Sequence, residues 1–176
     1  MKREIIWLTG LVGAGKSTLS SALHKRLMQM GVSSVVVESG QFRETYYPDV
    51  GFSNYERFKI QMRLSDHALK LSQKHSVVIV VSIAPLEAAR IAVREKLGNA
   101  YSEIFLDTPI DICVARDKKG WYYKAHRGIV NHFTGVSSPY DRPRKPDVHI
   151  VYPEDLSRSV ERILGSLNIE KAMTTS

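Results

Sequence analysis

Eight consecutive residues carry the plainest chemistry in this chain: GLVGAGKS, Gly10 to Ser17. They match the pattern G-x-x-x-x-G-K-[ST], with a short apolar strand signal before it and a helical signal after it. Glycines at 10, 13 and 15 let the backbone curl so that its N–H groups point at phosphate oxygens. Lys16 adds a point charge suited to β and γ phosphates, and the Ser17 hydroxyl can ligate Mg²⁺. The positive end of the helix that follows favours the same anion. Gly10, Gly13, Ala14, Gly15, Lys16, Ser17 and Thr18 are therefore the candidate nucleotide-binding residues. Lys16 is also a candidate catalytic group and is expected to face ligand rather than be packed. Ser17 is the candidate metal ligand, and ATP with Mg²⁺ are the expected cofactors.

A second stretch raises a second question. In VVVESGQFRET, residues 35 to 45, an apolar strand ends in one acid, Glu38, and Arg43 follows five residues later. Ligands of open α/β sheets bind outside the carboxyl ends of the strands. Glu38 is thus a candidate catalytic carboxylate that orients an attacking hydroxyl or holds Mg²⁺ through water. The competing reading is a solvated acid at a strand end.

These residues need a frame to hold them, and strand and helix signals alternate along the chain. Strands are expected at 4–8, 35–37, 77–83, 103–107 and 148–152. The run VVIVVSI is too apolar for an alternating strand and suits a parallel sheet covered on both faces. Helices are expected at 17–30, 54–75, 86–97, from Pro109 towards Arg116, and from about Glu154 to Leu167. A βαβ series of this kind predicts a three-layer α/β domain around a parallel five-stranded sheet. One domain over 1–170 is expected, with a frayed tail at 171–176.

The chain holds 25 Lys and Arg against 18 Asp and Glu, a net charge of +7. Most of that excess is local. Between Arg116 and Lys145 there are eight Lys or Arg and two acids, Asp117 and Asp141. Such a field suits a polyanionic ligand, and a solvated basic loop is the plainer alternative. Cys113 is the only cysteine, which leaves no disulfide framework and no Cys-based zinc site. The six histidines show no metal-ligand spacing. No apolar run reaches the roughly 18 residues that a membrane span needs. The basic-then-apolar start is accounted for by the strand and its glycine loop, not by export. A cytoplasmic location and no membrane partner are the expectations.

Downstream stretches make a family resemblance visible. IWLTGLVGAGKSTLS, VGFS at 50–53, SIAP at 82–85, LDTPIDICVARDKKGWYYKA at 106–125 and HFTGVSSPYDRPRKPDV at 132–148 together resemble adenylylsulfate kinase (APS kinase) over roughly residues 4–165. That family has the P-loop kinase fold and transfers the γ-phosphate of MgATP to the 3′-hydroxyl of adenosine 5′-phosphosulfate. The resemblance implies that Arg43 and Arg57 meet the anionic end of the acceptor. It implies that Phe52 and Phe133 sandwich the acceptor's base, and that Ile83 and Ala84 touch it through backbone. Arg116 would lie against the donor adenine. Lys119, a further candidate catalytic residue, and Lys124 would sit in a lid, about 117–146, that closes on both nucleotides. Trp121, Tyr122 and Tyr123 read as packing groups that anchor it. Taken singly, Phe52 and Phe133 also suit a core, Arg43 and Arg57 suit surface ion pairs, and the lysines suit solvent.

The resemblance fails at two places. Where the family carries Asp-Gly-Asp-Asn, this chain has Glu38, Ser39, Gly40 and Gln41, so the second acid is absent. Where the family carries Glu-Asn-Ile-Arg-Arg, this chain has Lys59, Ile60, Gln61, Met62 and Arg63. Ile60 cannot satisfy a polar edge of the acceptor, which bears on specificity more than on rate. The partner is expected to be a small nucleotide acceptor: adenosine 5′-phosphosulfate, a close analogue, or a different one such as cytidine diphosphoramidate. A nucleotide-binding module without turnover, and an RNA-binding role for the basic lid, are the readings from other classes. The complete phosphate loop argues against nucleic acid as the primary partner. A homodimer is an open expectation.

Overall fold

The computed structural model describes residues 3–167. Five strands form one parallel sheet in the order β2-β3-β1-β4-β5, with β1 Glu4–Thr9, β2 Ser34–Glu38, β3 Val77–Val81, β4 Tyr101–Asp107 and β5 Val148–Val151. Every residue of β1 and β3 is buried, which is why neither strand alternates apolar with polar residues.

The two faces of β1 sort the helices into layers. Ile6 and Leu8 pack with Leu19, Leu23 and Leu27 of α1 (Lys16–Gln29) and Ile163 and Leu164 of α7 (Leu156–Ser166). Ile5 and Trp7 pack with Leu64 and Ala68 of α3 (Asn54–Leu71) and Val93 and Leu97 of α4 (Glu87–Leu97). The expected three-layer architecture is what the chain forms. The tail expected at 171–176 lies outside the described residues.

Three short segments were not foreseen: α2, Ser39–Tyr46, which begins where β2 ends; the six-residue α6, Trp121–His126; and a 3₁₀ turn, Gly98–Ala100. A Ser-Gly start is a poor helix signal, but Phe42 is buried and its ring lies 5.2 Å from both Tyr46 and His67, so tertiary contact holds α2 in place. The short α5, Ile110–Ala115, falls where the Pro109 signal places it. β3 ends at Val81 rather than residue 83, because Ser82 to Pro85 leave the sheet through a left-handed Ala84, φ 44°. α3 ends at Leu71, short of residue 75.

Candidate active site

The phosphate loop joins the carboxyl end of β1, the central strand, to α1. Two of its glycines have no substitute. Gly10 and Gly13 have φ of 153° and 82°, and a Cβ on either would lie 2.7 Å from a backbone oxygen, that of Leu106 or of Cys113. Neighbours clamp the loop as well. The Tyr122 hydroxyl donates to the Val12 carbonyl at 2.7 Å, and the Thr108 hydroxyl donates to the Ala14 carbonyl at 3.0 Å.

Lys16 is not turned outward as expected. It is buried, and its Nζ donates to the Gly10 carbonyl at 2.8 Å and to the Leu11 carbonyl at 2.7 Å. A buried ammonium needs acceptors, and the loop's own carbonyls supply them. Burial lowers its pKa to about 8, against the opposing influence of Cys113 and of the Glu38 carboxylate.

Beside the loop opens a cavity of about 490 Å³, lined by Gly13 to Leu19, Arg116, Ile150, Tyr152 and Glu154 among others. Of the candidate nucleotide-binding residues in the loop, Gly13, Ala14, Gly15, Lys16, Ser17 and Thr18 line this cavity and Gly10 does not. The Arg116 guanidinium lies 5.0 Å from the centre of the Tyr152 ring. Tyr152 was missed as a lining residue; its signal is an aromatic immediately after the last strand.

Glu38 is half-buried at the end of β2, opposite Val81 of β3, and its backbone begins α2. Its side chain makes no capping bond there. Among the described residues no group of three or more His, Cys, Asp or Glu is arranged to hold a metal ion. A divalent cation would therefore depend on the Ser17 hydroxyl, which borders the cavity, together with ligand oxygens and water.

A second, smaller cavity of about 70 Å³ gathers residues far apart in sequence. Arg43, Phe52, Arg57, Ile60, Ile83 and Ala84, all expected to serve one acceptor, line it together. Ser39, Gln61, Ser82 and Pro85 line it too and had not been singled out. Arg43 donates to the Val50 and Gly51 carbonyls and lies 4.2 Å over the Phe52 ring. Arg57 donates to the Phe52 carbonyl, to the Thr134 hydroxyl and to the His132 carbonyl. Burial pushes both guanidinium pKa values down, and for Arg57 the Arg43 cation adds to the shift, so an arriving anion relieves both. The Ile83 and Ala84 carbonyls each already accept a hydrogen bond, from Thr9 and Arg90.

Phe133 does not border this cavity. It packs edge-on against Tyr122, with ring centres 5.0 Å apart, and against the core beneath the phosphate loop. Among the described residues it makes no ring contact with Phe52. Lys119 is exposed between α5 and α6, with no side-chain hydrogen bond or ion pair among the described residues. Lys124 lies 5.0 Å over the Trp121 ring. Of the three aromatics expected to anchor the lid, only Tyr122 is buried; Trp121 is 39% exposed and Tyr123 65%. Successive residues on a helix point about 100° apart, so a six-residue helix turns only Tyr122 and Ala125 inward.

Comparison with known proteins accords with this geometry. The family model described as adenylylsulphate kinase matches residues 2–151. The chain belongs to the adenylylsulphate kinase family. It is 38% identical to an adenylyl-sulfate kinase of Paraburkholderia xenovorans over 164 residues, covering 93% of this chain and 92% of that one. It is 34% identical to an adenylyl-sulfate kinase of Clostridium acetobutylicum, covering 98% of this chain and 86% of the relative. Its fold superposes with a TM-score of 0.88 on the Mycobacterium tuberculosis APS kinase CysC in complex with AMPPNP and APS, at 33% identity, covering 95% of this chain and 98% of that one. Family membership thus spans both cavities, including the segments where Gly40, Ile60 and Gln61 depart from the family pattern.

Proposed function

We propose that this protein is an ATP-dependent kinase that transfers the γ-phosphate of ATP to the 3′-hydroxyl of adenosine 5′-phosphosulfate or a close nucleotide analogue. The observation that carries this reading is the second cavity, where two arginines lie against an exposed aromatic ring. A pair of guanidinium groups suits a 5′-linked anion, and a ring beside them suits a flat base.

Catalysis here rests on positioning and charge. The triphosphate takes the place of the Gly10 and Leu11 carbonyls at Lys16 Nζ, and the ammonium moves onto β and γ oxygens. Ser17 would hold Mg²⁺ together with the nucleotide, and the ion would supply neutralisation of the developing charge. The acceptor hydroxyl oxygen bonds to the γ-phosphorus as the bond from that phosphorus to the β–γ bridging oxygen breaks. ADP leaves, and the hydroxyl proton passes to Glu38. Lys119 and Lys124 reach the phosphates only if the segment carrying them moves inward, which is the lid role proposed for 117–146. Phe133 reaches the base by the same movement.

A different acceptor is favoured by one feature, the apolar Ile60, which is 2% exposed in this cavity. The test is product analysis with ATP, Mg²⁺ and each of adenosine 5′-phosphosulfate, cytidine diphosphoramidate and no acceptor. One ADP per 3′-phosphorylated nucleotide, and none without acceptor, is the expected result. ADP release that ignores every acceptor, or no ADP at all, overturns the reading.

A further inference from the structure

Gln61 sits on the inward stripe of α3, one turn after Arg57 and one before Ser65, and is 6% exposed. Its Nε2 donates to the Ser82 hydroxyl at 2.9 Å. That bond engages one of the two amide atoms. The other atom, Oε1, has no partner, and among the described residues it is the one buried side-chain oxygen or nitrogen without a hydrogen bond. A buried carbonyl oxygen left unpaired bears its desolvation cost in full, so such an atom needs an explanation. Gln61 and Ser82 both line the small cavity with Phe52, Arg43 and Arg57.

We propose that Gln61 reads the base of the acceptor nucleotide, its Oε1 accepting a hydrogen bond from an exocyclic amino group. This rests on the reading above that the cavity takes a nucleotide. Other side chains of the lining divide the remaining work. Arg43 and Arg57 only donate, so they suit the anionic end. Ile60, Ala84 and Pro85 are apolar, so they suit the C–H part of a ring's rim. Among these side chains only Gln61 offers a carbonyl oxygen, whereas the Ile83 and Ala84 backbone carbonyls already accept from Thr9 and Arg90. Adenine and cytosine present an N–H₂ donor at one ring edge. Hypoxanthine and uracil present a carbonyl there, which sets oxygen against oxygen. At about 70 Å³ the cavity is too small for a base and must widen on binding; Phe52, 53% exposed, is the wall with freedom to move. The class selected is a nucleotide with an amino-bearing base.

The experiment compares acceptors in pairs that differ by amino against keto: adenosine with inosine 5′-phosphosulfate, and cytidine with uridine 5′-diphosphate. kcat/KM is measured at saturating MgATP for the wild type and for Gln61→Met, which keeps length and removes the amide. In whichever pair is used as substrate, the wild type is expected to favour the amino member by about tenfold or more, because a site built to pair with a polar group rejects the analogue lacking it. Gln61→Met is expected to bring that ratio within about threefold. A purely structural Gln61 would lower both members alike and leave the ratio unchanged. Equal use of both members by the wild type, preference for the keto member, or an unaltered ratio in the variant overturns the inference. If Gln61→Met does not fold, the same ratio is read in Gln61→Leu, and equal use or keto preference by the wild type overturns the inference without either variant. Absence of phosphorylated product from every acceptor overturns instead the reading of the cavity, and this inference with it.

Discussion

At the end of β2 the half-buried Glu38 carboxylate lies close enough to Lys16 to oppose the loss of its proton. We expect Glu38→Gln to keep ATP affinity and to lower kcat by about 10² or more, the range for a positioned proton acceptor. Gly40, second in α2, has no positive φ, and a Cβ there meets nothing within 4 Å. Gly40→Asp should therefore be tolerated, and in the Glu38→Gln background it should recover part of kcat. Steady-state kinetics on the true acceptor check both, and an unaltered kcat in Glu38→Gln removes Glu38 from the mechanism. The types and spacing of these residues were plain in the sequence. The inward turn of Lys16 was not, since it depends on carbonyls that only the folded loop brings within reach. Gln61 was also hidden: the sequence drew notice to the amide absent at position 60, and only the helix stripe shows an amide at 61 facing the same cavity.

At the scale of elements, strands buried on both faces were legible from composition alone, and long helices from their spacing. α2 and α6 were not, because neither is long enough to carry a periodic signal and both are held by contacts from elsewhere. One cap builds the acceptor side. Ser53 and Glu56 form a capping box at the start of α3, and Glu56 Oε1 also accepts from the Gly51 amide at 3.1 Å. The turn so fixed presents the Val50 and Gly51 carbonyls to Arg43. Glu56→Ala is expected to raise the acceptor KM several-fold and to leave the KM for ATP within about twofold. Hydrogen bonds from the Ser53 side chain, then from the Ser53 and Gly51 amides, hold the Glu56 pKa below its ordinary 4.5. A depressed carboxylate stabilises the fold above its unfolded-state pKa and loses that contribution as pH falls through the lower folded value. The difference in urea midpoint between wild type and Glu56→Ala should therefore be full above pH 4.5 and shrink below it. A difference that grows on acidification refutes the assignment.

Across the described residues a path of contacts joins the two cavities. Val12 of the phosphate loop accepts from the Tyr122 hydroxyl; the Tyr122 ring packs on Phe133; His132 and Thr134, on either side of Phe133, accept from Arg57; and Arg57 borders the acceptor cavity. The path runs through the basic segment, whose eight cations and two acids lie between Arg116 and Lys145. Two polyanionic nucleotides bound side by side repel, and a positive segment touching both sites opposes that repulsion. Binding of an unreactive ATP analogue is therefore expected to tighten acceptor binding by about fivefold or more, the lower end of ordinary coupling between sites. Hydrogen exchange around residues 127–129, exposed in this structure, should slow when both ligands are present. Tyr122→Phe removes the bond to Val12 and keeps the ring against Phe133. Each ligand alone should then bind within about twofold of wild type, while the enhancement falls to about twofold or less. Calorimetric titration of the acceptor, with and without the analogue, reads both quantities in the two proteins. If Tyr122→Phe keeps the full enhancement, the sites communicate by another route, and the Tyr122 hydroxyl only braces the loop.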